Sequence, residues 1–218
     1  MTQLGLIDYG MGNLHSVRRA FERLGADLIT VGDQSAQPFR PDSLEGCDAL
    51  VLPGVGAFDP AMERLRSSGL DQALIQWCAE GRPLLGICLG LQLLFDSSEE
   101  GSSSGLGLLP GEVKALPRRM GHPIPHMGWE PLIPASPSPL IPADSPESWV
   151  YFVHSFAAFP TDPATTTARV NFAGEEVAAA VWQGAIGACQ FHPEKSGPHG
   201  EAILQRWLRW LVDGTRLP

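Results

Sequence analysis

No run in this sequence reaches the roughly 18 apolar residues that a membrane-spanning helix needs. The opening MTQLGLIDYG has neither a basic n-region nor a long apolar h-region. Both absences point to a cytoplasmic chain with no membrane partner. Lysine and arginine are scarce, 15 against 24 aspartates and glutamates, giving a formal net charge of −9 with no basic cluster. Such a chain attracts phosphate backbones poorly, so nucleic acid is not the expected partner. Cysteine is scarce too. Cys47, Cys78, Cys88 and Cys189 include no C-x-x-C pair, which argues against a structural zinc site and a disulfide framework. His122 and His126 stand four apart, but Pro123 and Pro125 prevent the helix that would turn this spacing into a metal pair. Neither a metal nor an organic cofactor is expected, and small-molecule chemistry is the default.

What is present is a chain of 218 residues, 44% hydrophobic and 18% charged, long enough to bury a sizeable core as a single domain, 1–218. Apolar runs at 4–7, 48–53 and 83–87 alternate with helical patterns at 13–24, 59–80 and 88–95. That alternation predicts an α/β fold with βαβ units, a mainly parallel sheet and helices on both faces. Later β-like runs at 149–153, 165–172, 177–182 and 186–191 predict an antiparallel or mixed extension of the same sheet, and a helix over 199–212 closes the pattern. Between them, residues 131–148 carry six prolines. Without backbone donors this segment is expected to be a surface loop.

The strongest local feature is PLLGICLGLQLLF, residues 83–95, where an apolar strand runs through Gly-Ile-Cys-Leu-Gly directly into a helical pattern. This is the arrangement of a nucleophile elbow with sulfur in place of oxygen, Gly86 and Gly90 allowing the sharp turn that exposes Cys88 at the strand's end. A helix N-terminus and an imidazolium would each favour its thiolate. The base is expected from QFHPEKSG, residues 190–197. His192 and Glu194 lie two apart, so in extended geometry they project to one side and Glu194 can orient the imidazole toward Cys88. Acyl transfer also needs an oxyanion hole. LPGVGAF, residues 52–58, supplies a glycine-rich turn after a strand, and the candidate donors are the amides of Leu89 and of Val55 or Gly56. A phosphate-binding turn or a plain tight bend would use the same glycines.

Together the G-x-C-x-G elbow, the upstream P-G-x-G turn and the downstream H-P-E resemble the class I (triad) glutamine amidotransferase family over nearly the whole chain. DYGMGNLHSV (8–17), HMGWE (126–130) and YFVHSF (151–156) resemble one branch of it, whose ammonia goes to a cyclase of histidine biosynthesis. Glutaminases serving anthranilate, GMP and carbamoyl phosphate synthesis share the elbow but usually lack these segments. The resemblance implies a three-layer, flavodoxin-like fold and a Cys88–His192–Glu194 triad that hydrolyses L-glutamine. It also implies a separate (β/α)8-barrel cyclase as heterodimeric partner, for which this chain has no room, such a barrel taking about 250 residues. Carried over position by position, Gln92, Glu100, Ser155 and Phe156 would contact glutamine, and Trp129 and Tyr151 would face the partner. The chain departs from the branch pattern at Glu130, where asparagine is usual, and at Phe156, where tyrosine is usual. The alternatives are a different class I acceptor and a non-catalytic regulatory subunit.

Overall fold

The computed structural model describes residues 2–32 and 41–213. Its main sheet holds eight strands: β1 (Gln3–Ile7), β2 (Asp27–Val31), β3 (Ala49–Gly54), β4 (Leu84–Cys88), β8 (Ile133–Pro134), β11 (Thr166–Phe172), β12 (Glu175–Gln183) and β13 (Ile186–Cys189). The order is β2-β1-β3-β4-β13-β12-β11-β8. The first five are mutually parallel and the last three continue antiparallel.

Strand alternation sends side chains to two hydrophobic layers. On one face, α1 (Leu14–Arg23) and α5 (Gly197–Asp213) bury Phe21, Ile203 and Trp207 together with Leu4, Leu6, Val51 and Ile87. On the other, α2 (Phe58–Ser68), α3 (Leu70–Ala79) and α4 (Leu89–Leu93) bury Phe58, Met62 and Trp77 with Ile7, Leu50, Leu52 and Leu84. This is the three-layer α/β architecture expected, with a mostly parallel sheet and an antiparallel part.

Two smaller β units flank it. β10 (Phe156–Pro160), β6 (Gly111–Ala115) and β5 (Ser97–Ser98) form a three-stranded sheet, and β7 (His126–Pro131) pairs antiparallel with β9 (Trp149–His154). The ribbon sets Trp129 opposite Tyr151 and His126 opposite His154. Neither pairing is readable from segments that lie more than twenty positions apart in the chain.

Three expectations need correction. The helical pattern over 59–80 is two helices, because Gly69 adopts a left-handed conformation (φ 79°) that ends α2 and starts α3. β9, expected in the extension of the main sheet, instead pairs with β7 in a separate two-stranded ribbon, whereas β13 joins the main sheet as a mixed strand, parallel to β4 and antiparallel to β12. The proline-rich segment 131–148 is more than a surface loop. Ile133–Pro134 pairs with β11 at the sheet edge, where a missing N–H is tolerated, and Leu140 and Ile141 are each 1% exposed. Burial of two such side chains stabilises the anchored segment by roughly 1.5–3 kcal/mol each.

Candidate active site

β4 delivers Cys88 to the C-terminal edge of the parallel sheet beside β3, with Gly54 as its ladder partner. Cys88 has φ 56° and ψ −111°, one of only two described non-glycine residues with positive φ. Such a conformation costs on the order of 1–3 kcal/mol and is held by the packing around it. Gly86 and Gly90 assist differently from the expectation, since neither has a positive φ. A Cβ on Gly90 would collide with the Leu52 carbonyl oxygen, and one on Gly86 would press on Gly90. The glycines let α4 lie against β3 and β4; Cys88 itself absorbs the turn. α4 is only five residues long, little more than one turn, so it carries less dipole than a full helix would.

His192 follows β13 and approaches the sulfur from the neighbouring strand. Its Nδ1 lies 2.8 Å from Glu194 Oε1, with both side chains almost wholly buried. Because a carboxylate only accepts, Nδ1 carries a proton and Nε2 is left for Cys88. Nε2 is buried without a hydrogen bond of standard geometry, yet the sulfur acts on it. Burial by itself would lower the imidazole pKa, but interaction with Cys88 and then Glu194 outweighs it and raises the value to about 9. An imidazolium between a sulfur and a carboxylate is therefore the favoured form at neutral pH.

These groups open onto a cavity of about 240 Å³ lined by Val55, Gly56, Cys88, Leu89, Gln92, Glu100, Pro125, Val153, His154, Ser155, Phe156 and His192. Its size suits one small metabolite. All four residues expected to contact glutamine line it. Gln92 Nε2 donates to the Phe156 carbonyl (3.0 Å) and to Gln190 Oε1 (3.1 Å), so with both hydrogens engaged it presents only its oxygen to a ligand. Glu100 Oε2 accepts from Phe58 N at 2.9 Å, capping α2 from outside; burial raises its pKa against that bond. Glu194 stands behind His192 and does not line the cavity.

On the side expected to receive an oxyanion, Leu89 opens α4, where N–H groups lack a carbonyl one turn back. The Val55 N–H donates to the Met11 carbonyl at 3.2 Å, so it is committed elsewhere. Gly56 has φ 110°, which favours glycine.

Trp129 and Tyr151 lie outside the cavity, their rings edge-on at 6.0 Å. Trp129 is 48% exposed, and Met127 and Trp149 are exposed on the same ribbon. Alternation puts Glu130 on the opposite side from Trp129, where its carboxylate is 3.6 Å from His126 Nε2. His126 is thus engaged with Glu130 and His154, while His122 packs on Phe172. Among the described residues no group of three His, Cys, Asp or Glu side chains could hold a metal. No helix among them is long and apolar enough to cross a membrane.

Sequence reasoning passed over Gln190, Tyr9 and His154. Gln190 could have been found, because it precedes His192 by two positions in an extended segment and must share its side. Tyr9 and His154 come to the site only through β1 and the β7–β9 ribbon.

Residues 5–210 match the profile described as Glutamine amidotransferase class-I. The chain belongs to the class I glutamine amidotransferase family. Within this family it is 58% identical over 214 residues to the "Imidazole glycerol phosphate synthase subunit HisH" of Synechococcus sp. (strain CC9605), covering 97% of this chain and 96% of that one. It is 56% identical over 212 residues to "subunit HisH 2" of Parasynechococcus marenigrum (strain WH8102), covering 97% of each. Among solved structures, "Structure of PurLQS from Thermotoga maritima" aligns at TM-score 0.73 and 21% identity, covering 96% of this chain and 99% of that one. That likeness speaks for the fold alone.

Proposed function

We propose that this chain is the glutaminase subunit of an imidazole glycerol phosphate synthase, acting as one catalytic domain with Cys88, His192 and Glu194 as its triad. The observation that carries the reading is the buried Glu194–His192 pair, 2.8 Å apart, set beside a cysteine in a left-handed elbow. The 51–58% identity to HisH subunits supports the choice of pathway.

In the proposed reaction the Cys88 thiolate attacks the carboxamide carbon of L-glutamine and the oxyanion is received by the Leu89 amide with Val55 or Gly56. The His192 imidazolium gives its proton to the departing nitrogen, which leaves as ammonia and yields a glutamyl thioester. Water then attacks, His192 takes back a proton, and glutamate leaves as the thiolate re-forms. Glu194 holds the imidazole throughout. Gln92, offering an oxygen, selects a donor group of the substrate, and Glu100, Ser155 and Phe156 complete the pocket.

Ammonia passes to a separate (β/α)8-barrel cyclase, which uses it to form imidazole glycerol phosphate and AICAR in histidine biosynthesis. Trp129 and Tyr151, with exposed Met127 and Trp149 on the same ribbon, are the proposed docking face. The engaged Val55 amide supports a gated oxyanion hole, in which the peptides of the 54–56 turn rotate when the cyclase is bound and loaded. Glutamate release is expected to be low for the isolated chain and to rise by about 10²-fold or more with the loaded cyclase, given the worth of one oxyanion donor. Equal rates in both states would remove the gate; no release in either would remove the glutaminase.

A further inference from the structure

We propose that Gln190 is a further member of the catalytic apparatus, an amide donor that holds the Cys88 sulfur as thiolate and is itself aimed by Gln92. The inference deepens the reading of Cys88 as the nucleophile and rests on it.

Amide orientation is ambiguous unless a neighbour with a single role settles it. Here the neighbour is the Phe156 backbone carbonyl, which can only accept. It receives Gln92 Nε2 at 3.0 Å and His154 Nδ1 at 2.9 Å, filling both lone pairs. Gln92 therefore points its nitrogen toward Phe156, and the second hydrogen of that nitrogen goes to Gln190 Oε1 at 3.1 Å. With its oxygen fixed on Gln92, Gln190 must turn its nitrogen the other way, and there Nε2 meets Cys88 Sγ at 3.8 Å. The whole path runs from a main-chain carbonyl to the reacting sulfur without an ambiguous step.

Gln190 is fully buried, at 0% exposure, so water does not compete for its donor. It continues the β13 segment, with its own N–H bonded to the Ala179 carbonyl at 2.8 Å. Phe191 turns the opposite way into the core beneath α1 and α5. Gln190 and His192 thus sit on one side of an extended chain, both directed at Cys88. They do different work. His192 exchanges protons during the reaction, whereas an amide hydrogen stays in place and favours the charged sulfur by hydrogen bonding to it. When the glutamyl thioester forms, the same donor loses its anionic acceptor, and it regains it as the thiolate departs. Because Gln92 also lines the cavity, a ligand pulling on its amide would be felt at the sulfur through one intervening side chain.

The test uses the full-length chain and reads Cys88 directly. Iodoacetamide alkylation of the Cys88 peptide is followed by mass spectrometry from pH 5 to 10, for the wild type and for Gln190→Met, which keeps length and volume but has no donor. Glutaminase kcat and KM are measured beside it with the cyclase bound. In Gln190→Met the alkylation profile is expected to move to higher pH by about half a unit to one unit, and kcat to fall roughly three- to tenfold. KM should change less than kcat. Gln190→Glu, which places an acceptor against the sulfur, should move the profile further, and serves in place of the methionine variant if that one fails to fold. An unmoved profile in a folded variant overturns the proposal and leaves Gln190 as packing. Absence of glutaminase in the wild type with normal Cys88 alkylation would instead overturn the functional reading, so the two failures are separable.

Discussion

The two sides of the cavity differ in how far their hydrogen bonds are committed to chemistry. On the nucleophile side the side chains converge on the sulfur, although His192 Nε2 and Glu194 Oε2 are buried without a hydrogen bond of standard geometry. Glu194 holds His192, His192 faces Cys88, and Gln190 reaches the same sulfur. On the oxyanion side the Val55 amide is spent on the Met11 carbonyl, Val55 is 41% exposed, and the buried Tyr9 hydroxyl beside Gly54 has no hydrogen-bond partner. Burial, with Cys88 nearby, raises the Tyr9 pKa, so the neutral phenol is kept. With the proposed roles, this arrangement would hold a nucleophile ready at no cost in substrate while the donors for its tetrahedral intermediate are withheld. The nucleophile side is fixed by neighbouring strands of the sheet; the other is a glycine-rich turn that can rotate peptides cheaply.

The sharpest way to break this contrast is to remove the sulfur. Cys88→Ala should lower glutamine-dependent synthesis by on the order of 10⁴-fold or more, while the partner's ammonia-dependent synthesis stays intact. Retained glutaminase in that variant would falsify the triad assignment. On the opposite side, Gly56→Ala strains a residue at φ 110° and should lower cyclase-stimulated turnover by about 10²-fold. Alkylation of Cys88 should be unchanged in it, and a parallel loss of alkylation would show that the two sides are one unit.

A smaller effect comes from pH. His192, with a pKa of about 9, lies above the unfolded value, so its contribution to stability is complete below pH ~6.5 and is lost as pH rises through 9. Glutaminase turnover should likewise halve near pH 9, where the proton for departing ammonia is lost; a profile flat to pH 10 would place that proton on another group. The smallest effect is on stability. Burial first, opposed by the Phe156 carbonyl and assisted by His126 and His192, lowers the His154 pKa to about 4. The unfolded chain binds this proton more readily, so stability should decline between pH ~6.5 and 4, by on the order of 3 kcal/mol. Denaturant titrations at both ends of that range measure it, and constant stability would mean that the wall behind the cavity admits water.

Much of the site was legible because its chemistry is written in short segments. A strand, a cysteine between glycines and a helix within thirteen positions can form one kind of elbow, and His192 with Glu194 needs only extended geometry to become a pair. The fold class was legible for the same reason, since βαβ alternation is local. Other features were not. The split at Gly69 was hidden inside a continuous apolar period, and β2 is half exposed, with too weak an apolar run to announce itself. Gln190, though two positions from His192, gained meaning only through Gln92 and Phe156, which arrive on α4 and β10.

Residue type and spacing alone were enough to single out Cys88, His192, Glu194 and a glycine-rich turn as the proposed nucleophile, base, orienting carboxylate and oxyanion site. Tertiary structure alone decided which way the amides point. A backbone N–H is directed by the strand or loop it happens to meet, as Val55 meets Met11, and an amide side chain by the carbonyl at the end of its network, as Gln190 is directed by Phe156 through Gln92.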